Sequence, residues 1–291
     1  MQPAQKDLTG IGLRSAHYKA LLDEQPAIGW PEIGWPEIGW LEIHPENYFC
    51  GGVHTHYLGK ARERYPVSFH AVGLSLGSSE PVSRNHLQKL KALADRFEPV
   101  RISDHASWSA SGNAHFNDLL PLPYNQESIE TLCRNITITQ ETLGRTILLE
   151  NPSTYLGFSE STMGEPEFLV EIARRSGCGL LLDINNIYVQ AHNHGSNAYD
   201  YLNSIPRGLV EEIHLAGHMQ RQFSHGTLLI DTHNQPVCDG VWDLYRAALH
   251  RFGGVPTLIE WDKDIPALDV LAGEAKKAET ILIQEQHYEA A

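Results

Sequence analysis

Eight short runs of β-branched and aliphatic residues recur along the chain, most of them separated by stretches whose apolar residues have helical spacing. The runs read as strands are Gly10–Leu13, Trp40–His44, Val67–His70, Val100–Ser103, Thr146–Glu150, Leu180–Asp183, Glu211–Leu215 and Thr257–Glu260. Helical patterns cover His86–Phe97, with Leu87, Leu90, Leu93 and Ala94 on one face, and Gln126–Leu143, Glu165–Arg175, Ala198–Asn203 and Val241–Phe252. Eight strands alternating with helices in 291 residues predict an α/β fold, the (β/α)8 TIM barrel. A doubly wound sheet is the alternative, but no Gly-x-Gly-x-x-Gly follows the first strand, so a dinucleotide site has no support. No shift in composition divides the chain. Residues 1–291 are therefore expected to form one barrel domain, with long loops at Asn193–Tyr199 and Ala216–Leu229 over its mouth.

A tandem repeat precedes the second strand. Ile28-Gly29-Trp30-Pro31-Glu32 recurs as Ile33-Gly34-Trp35-Pro36-Glu37 and then as Ile38-Gly39-Trp40-Leu41-Glu42. Its period is too short for a solenoid unit, and Pro31 and Pro36 keep the first two copies out of a central strand. Residues 28–37 thus read as a loop expansion. The 22 basic residues stand against 36 acidic ones, a net charge of −14, which argues against a nucleic-acid partner. No apolar run approaches the roughly 20 residues of a spanning helix, and Met1–Asp7 lacks the order of a secretory signal, so a cytoplasmic location is expected. Cys50, Cys133, Cys178 and Cys238 are too sparse for a disulfide framework and read as packing residues. The sixteen histidines need another explanation.

Barrel enzymes place their chemistry at the C-terminal ends of the strands. Strand three ends in His70, strand four runs into Ser103-Asp104-His105, and strand five ends in Glu150-Asn151. Strand six ends in Asp183 and continues Ile184-Asn185-Asn186, strand seven carries His214, the loop after it holds Asp231-Thr232-His233, and strand eight ends in Glu260. Singly, each has a plainer explanation: a strand-end His as a hydrogen-bonded core residue, an Asp after a strand as a helix cap. Together, a barrel mouth converges them. Carboxylates aimed at one another repel and raise one another's pKa values, and bound dications remove that conflict. A lone catalytic zinc needs three protein ligands, so this larger supply points to two or three ions. The lack of cysteine among them argues against copper(I), structural zinc and iron–sulfur clusters, whereas mixed imidazole and carboxylate ligands suit Fe, Mn or Zn. Glu150 and Glu260, entering from opposite sides, are the candidate bridging ligands.

These residues lie in longer runs: Gly10-Ile11-Gly12-Leu13-Arg14, Trp40–Phe49, His70–Gly77, Leu120-Pro121-Leu122-Pro123-Tyr124, Leu149-Glu150-Asn151-Pro152, Leu182–Asn186, His214-Leu215-Ala216-Gly217-His218, Asp231-Thr232-His233 and Glu260-Trp261-Asp262. In them the chain resembles the multinuclear non-haem iron-dependent oxidase family, which includes the methanobactin-biosynthesis oxidase. The resemblance implies a xylose-isomerase-like barrel holding two or three iron ions in a mixed Fe(II)/Fe(III) state, with Mn or Zn as alternatives in isolated protein. It implies O2-dependent oxidation of cysteines in a ribosomally made precursor peptide, commonly with a small partner protein that binds the leader segment. Carried over by position, the metal ligands are His70, His105, Glu150, Asp183, Asn186, His214, Asp231, His233 and Glu260. Asn186 stands where related barrel endonucleases have His, so the third ion is expected to be labile. Glu150, Asp183 and Asp104 form the candidate catalytic set, and His44, Asn151, Asn185, His192, His194 and His218 the candidate substrate-binding set, with His192 and His194 in the loop after strand six. The expansion at 28–37 departs from the family pattern.

Three other readings compete. A metal-dependent hydrolase of the endonuclease type would want a basic groove. A sugar isomerase or epimerase would want a lysine near the metals, but Lys60, Lys89 and Lys91 fall in helix patterns. A metal-storage or metal-sensing protein would leave no open coordination position and consume no O2.

Overall fold

The computed structural model describes residues 8–23, 38–112, 114–224 and 226–289; the repeat at 28–37 lies outside them. In chain order the first half runs β1 (Thr9–Gly12), β2 (Trp40–Ile43), α1 (Val53–Arg64), β3 (Val67–His70), α2 (Arg84–Phe97), β4 (Ile102–His105), β5 (Trp108–Ser111), β6 (Ala114–Leu120), α3 (Gln126–Leu143) and β7 (Leu148–Glu150). The second half runs α4 (Glu165–Ser176), β8 (Gly179–Asp183), α5 (Ile184–His194), α6 (Ala198–Ser204), β9 (Val210–Leu215), β10 (His218–Phe223), β11 (Gly226–Asp231), α7 (Asp239–Phe252), β12 (Thr257–Ile259) and α8 (Leu268–Glu289). Eight strands close into a parallel barrel in the order β1-β12-β9-β8-β7-β4-β3-β2, and two antiparallel hairpins, β5-β6 and β10-β11, stand apart from it.

The barrel strands are buried on both faces, as parallel strands under a coat of helices must be. The helices dock by apolar stripes: Leu87, Leu90, Leu93, Ala94 and Phe97 are the buried face of α2. Side-chain caps set several starts, with Ser83 accepting from His86 N, Asn125 from Ser128 N and Asp183 from Asn186 N. Trp40, the last tryptophan of the repeat, is buried at the start of β2, with Arg101 over its ring at 4.3 Å. A Cβ on Gly10 would stand 2.5 Å from that indole, so glycine at this point of β1 lets the ring lie against the strand.

Several expectations are corrected. The connection expected at Asn193–Tyr199 shrinks to residues 195–197, because Ile184–His194 is the helix α5, started by its Asp183 cap and ended by Gly195 at φ 70°. His192 and His194 are therefore in the last turn of that helix, not in a loop. The expected loop Ala216–Leu229 is mostly the hairpin β10-β11, paired from His218↔Asp231 to Phe223↔Gly226. Strand four begins two residues later than Val100, so Asp104 and His105 lie within it. Helix α1 escaped notice because it buries just Thr55, Leu58 and Ala61 of twelve residues.

Gly217 joins β9 to β10 against the backbone of the segment that follows β11. A Cβ there would stand 2.0 Å from the Gln235 carbonyl oxygen, a backbone atom that has no rotamer to change. Gly217→Ala is expected to cost about 1–3 kcal/mol, read as a lower urea midpoint with an unchanged slope; an unchanged midpoint would contradict this packing.

Candidate metal centre

Parallel register levels the site. Cα partners across adjacent strands include His105↔Glu150 and Asp183↔His214. His70 Nε2 lies 3.2 Å from Glu150 Oε2, His105 Nε2 lies 3.3 Å from the same oxygen, and the two imidazole nitrogens are 3.3 Å apart. Glu260 Oε2 stands 3.2 Å from both His214 Nδ1 and His233 Nδ1. His233 Nε2 is 2.7 Å from Asp231 Oδ1 and 3.9 Å from Asp183 Oδ2. Ligand atoms of His70, His105 and Glu150, of His70, His214 and Glu260, and of Glu150, Asp183 and His214 all lie within 4.8 Å of one another, the spacing of groups that share an ion.

Each inward imidazole is held from its other side, the arrangement that orients metal-bound histidines. Ser103 Oγ is 2.8 Å from His70 Nδ1, and Asp104 Oδ1 is 3.4 Å from His105 Nδ1. Asp104 also accepts from Leu74 N at 2.9 Å and His105 N at 2.6 Å, so it stands behind His105. Asp183 divides its carboxylate: Oδ1 caps α5 through Asn186 N at 2.7 Å, while buried Oδ2 finds no hydrogen-bond partner among the described residues. Glu150 Oε2 is likewise buried and, beside the two imidazoles, finds no hydrogen-bond partner among the described residues. Two such oxygens are costly without a cation to receive them, and the donor set fits Fe, Mn or Zn. His233 reaches the site from a left-handed backbone (φ 46°), its carbonyl accepting from Asp262 N at 2.7 Å.

The charges are mutually dependent. Burial, helped by Glu260 and Asp183, pushes the Glu150 carboxyl from the usual 4.5 up to about 8, against His105 and His214. Burial with Asp231 and Glu260 takes Asp183 from 3.8 to about 7. Burial would lower His105, but Glu150 and Asp104 outweigh it and raise it to about 9. Burial and His105 hold His70 well below its usual 6.5. Glu260 goes the other way from Glu150: burial would raise it, yet His233 and His214 hold it well below 4.5.

A cavity of about 1190 Å³ opens over this cluster, with His44, His70, His105, Glu150, Asn186, Asp231, His233 and Glu260 among its walls. Asn186 is fastened at both ends of its amide, Oδ1 accepting from Ser153 Oγ at 2.8 Å and Nδ2 donating to the Asn151 carbonyl at 3.0 Å. Asn151 lies behind the wall, donating to the Asp183 carbonyl at 3.0 Å. Asn185 links His218 Nδ1 (2.7 Å) to Asp231 Oδ1 (2.7 Å). His192 and His194 meet the carbonyls of Thr227 (3.1 Å) and Thr154 (2.8 Å), tying α5 to the hairpin and to the loop after β7.

The sequence reading passed over several polar residues. Glu42 and Glu212 lie fully buried below His214, and Arg14 pairs with Asp262 and with His44 Nε2 (2.8 Å) beside Glu260. The two-residue period of the strands was the available signal, since Glu42 and Glu212 each precede an already noted histidine, His44 and His214, by two positions. Lys60, Lys89 and Lys91 lie on helices as expected, yet Lys89, on α2, and Lys263, just past Glu260, line the cavity.

Fold and site together define a xylose-isomerase-like TIM barrel with candidate metal-binding clusters at its mouth. Among solved structures, endonuclease IV from Thermus thermophilus superposes with a TM-score of 0.56 at 15% identity, covering 95% of this chain and 99% of that one. A xylose isomerase domain-containing protein of Salmonella typhimurium LT2 gives 0.55 at 12% identity, covering 98% and 100%. At these identities the likeness shows the fold alone. Residues 8–283 match the RiPP precursor modification enzymes MbnB/TglH/ChrH (RiPP, a ribosomally synthesised and post-translationally modified peptide), and the chain belongs to that family. Relatives described as UPF0276 proteins include one of Vibrio vulnificus YJ016, 48% identical over 274 residues (94% of this chain, 91% of the relative). One of Caulobacter vibrioides NA1000 is 47% identical over 267 residues (91% and 90%). The family implies a peptide substrate. No helix among the described residues is long and apolar enough to cross a membrane.

Raised folded-state pKa values mean that the folded chain holds protons the unfolded chain has released. The stability contributed by Glu150, Asp183 and His105 is full at low pH and is lost as pH rises through about 7 to 9. The melting temperature of metal-stripped protein is expected to fall from pH 5 to pH 9, and added metal to raise it most at the alkaline end. A flat or rising profile for the stripped protein would contradict the site.

Proposed function

We propose that the chain is a multinuclear iron-dependent oxidase that uses O2 to modify cysteine in a ribosomally made precursor peptide. The observation that carries this reading is the pair of buried carboxylate oxygens without hydrogen-bond partners among the described residues, Glu150 Oε2 and Asp183 Oδ2, among converging imidazoles beneath a cavity of about 1190 Å³. Membership of a peptide-modifying family supports it. His70, His105, Glu150, Asp183, His214, Asp231, His233 and Glu260 would hold two or three iron ions, with Asn186 offering an amide oxygen. Bound iron supplies thiolate binding and the O2-dependent redox chemistry that no side chain of this set provides.

The chain's own residues do the rest. Ser103 and Asp104 hold two of the imidazoles, which makes Asp104 a positioning group. Arg14 with Asp262 fixes His44 at the cavity wall, beside the ions, where it can orient the substrate backbone. The Asn185–His218 pair steadies Asp231 from outside the cavity, and Asn151 steadies Asp183. Walls from the β5-β6 hairpin and the loop after β7 bring Phe116, Tyr155 and Leu156 to the cavity and limit the water that reaches the reacting sulfur. A small leader-binding partner protein belongs to the same reading.

The decisive experiment loads the protein with iron without oxygen, adds a candidate cysteine-containing precursor, and follows O2 uptake and peptide mass. Uptake coupled to a mass change that vanishes when the cysteine is replaced by serine is the expected result. Iron-loaded protein that consumes no O2 with such peptides, or that alters the serine version equally, would overturn the reading. Glu150→Ala is expected to lose an ion and more than about 100-fold in turnover; full iron with full turnover in that variant would remove Glu150 from the site.

A further inference from the structure

His214 faces the opposite way from its neighbours. His70 and His105 present Nε2 to the cluster and turn Nδ1 outward, to Ser103 and Asp104. His214 presents Nδ1 to Glu260 and sends Nε2 down into the barrel, 3.3 Å from Glu42 Oε1 and 3.4 Å from Glu212 Oε1. All three side chains of this lower layer are at 0% exposure. Glu212 has a charge partner of its own, Arg101 Nε at 2.5 Å from Oε2. Glu42 has neither an arginine nor a lysine beside it in any ion pair, and neither of its buried oxygens finds a hydrogen-bond partner among the described residues. A second copy of the upper cluster's chemistry does not fit here, because the Arg101 guanidinium already supplies the positive charge that an ion would bring.

We infer that Glu42, with Glu212 beside it, is the positioning residue for His214. From below, Glu212 Oε1 meets Nε2–H in a hydrogen bond of 3.4 Å and Glu42 Oε1 stands 3.3 Å from the same nitrogen; together they fix the plane of the ring and leave Nδ1 as the nitrogen that faces Glu260. This is the carboxylate–histidine–metal arrangement built across the barrel, from β2 to β9. It explains why an acid that no arginine or lysine pairs with is kept in an otherwise apolar strand, Trp40–Ile43, despite the cost of burying a carboxylate: the group it faces is the His214 imidazole. The inference rests on the reading of His214 as a ligand.

The test uses Co(II) as the probe, added to metal-stripped full-length protein carrying Glu42→Leu, Glu42→Gln or His214→Ala. His214→Ala identifies the ion that depends on this imidazole. In Glu42→Leu that ion should bind about 10–100-fold more weakly, with its visible absorption bands shifted; Glu42→Gln, which keeps an acceptor oxygen, should recover part of both. A merely structural role would lower the melting temperature and leave the bands in place. Wild-type Co(II) affinity and bands in the Glu42 variants, with an ion lost in His214→Ala, would overturn the inference alone. Should His214→Ala keep every ion, the ligand reading fails first and takes this one with it. If Glu42→Leu does not fold, Glu42→Gln decides by the same bands.

Discussion

Carboxylates and imidazoles that converge, almost wholly buried, at the mouth of a barrel must to a large extent satisfy one another. Glu150, Asp183 and Glu260 are each at most 3% exposed, and the residues His70, His105 and His214 at most 6%. In such surroundings the charge of any one group depends on the rest: Glu150 is driven up and Glu260 down, although both are buried glutamates of the same ring. The difference lies in the company each keeps. Glu260 sits between two imidazoles, His214 and His233, whose pKa values are both raised, whereas Glu150 has one such imidazole, His105, and shares its oxygen with His70, which burial holds well below the usual value. Cations at the centre would relieve the whole ring together, so these side chains act as one electrostatic unit.

The barrel divides its labour along its axis. Apolar layers and the Trp40–Arg101 stack fill the lower end, the Glu42–Glu212–Arg101 group separates that packing from the mouth, and the cavity lies above. The β5-β6 hairpin raises the wall without joining the sheet, and the cavity of about 1190 Å³ lies between it and the strand ends. Asp183 shows how tightly the layers are joined: one oxygen starts helix α5 and the other faces the cluster, so building the helix aims the ligand.

The strand ends carried most of the site in readable form. His70, His105, Glu150, Asp183 and His214 each close or lie within a strand whose apolar neighbours mark it, and Glu260 directly follows Thr257–Ile259, one residue past the end of the strand expected to hold it. The polar helix α1, the hairpin β10-β11 and the helical setting of His192 and His194 were not readable, since their stability comes from contacts with distant segments, not from local apolar periodicity. Arg14 and Asp262, 248 positions apart, belong to the site by an ion pair that no local pattern announces.

Local pattern was enough for the fold class, the order of the strands along the chain and the side of the barrel on which chemistry would gather, because a two-residue alternation and a strand's direction are properties of neighbouring residues. Which nitrogen of each imidazole turns inward, which carboxylate oxygen is left without a partner and which acids lie beneath the ligands were settled by closure of the cylinder. Those features depend on the register between strands far apart in the chain, and register exists once the eight strands have met.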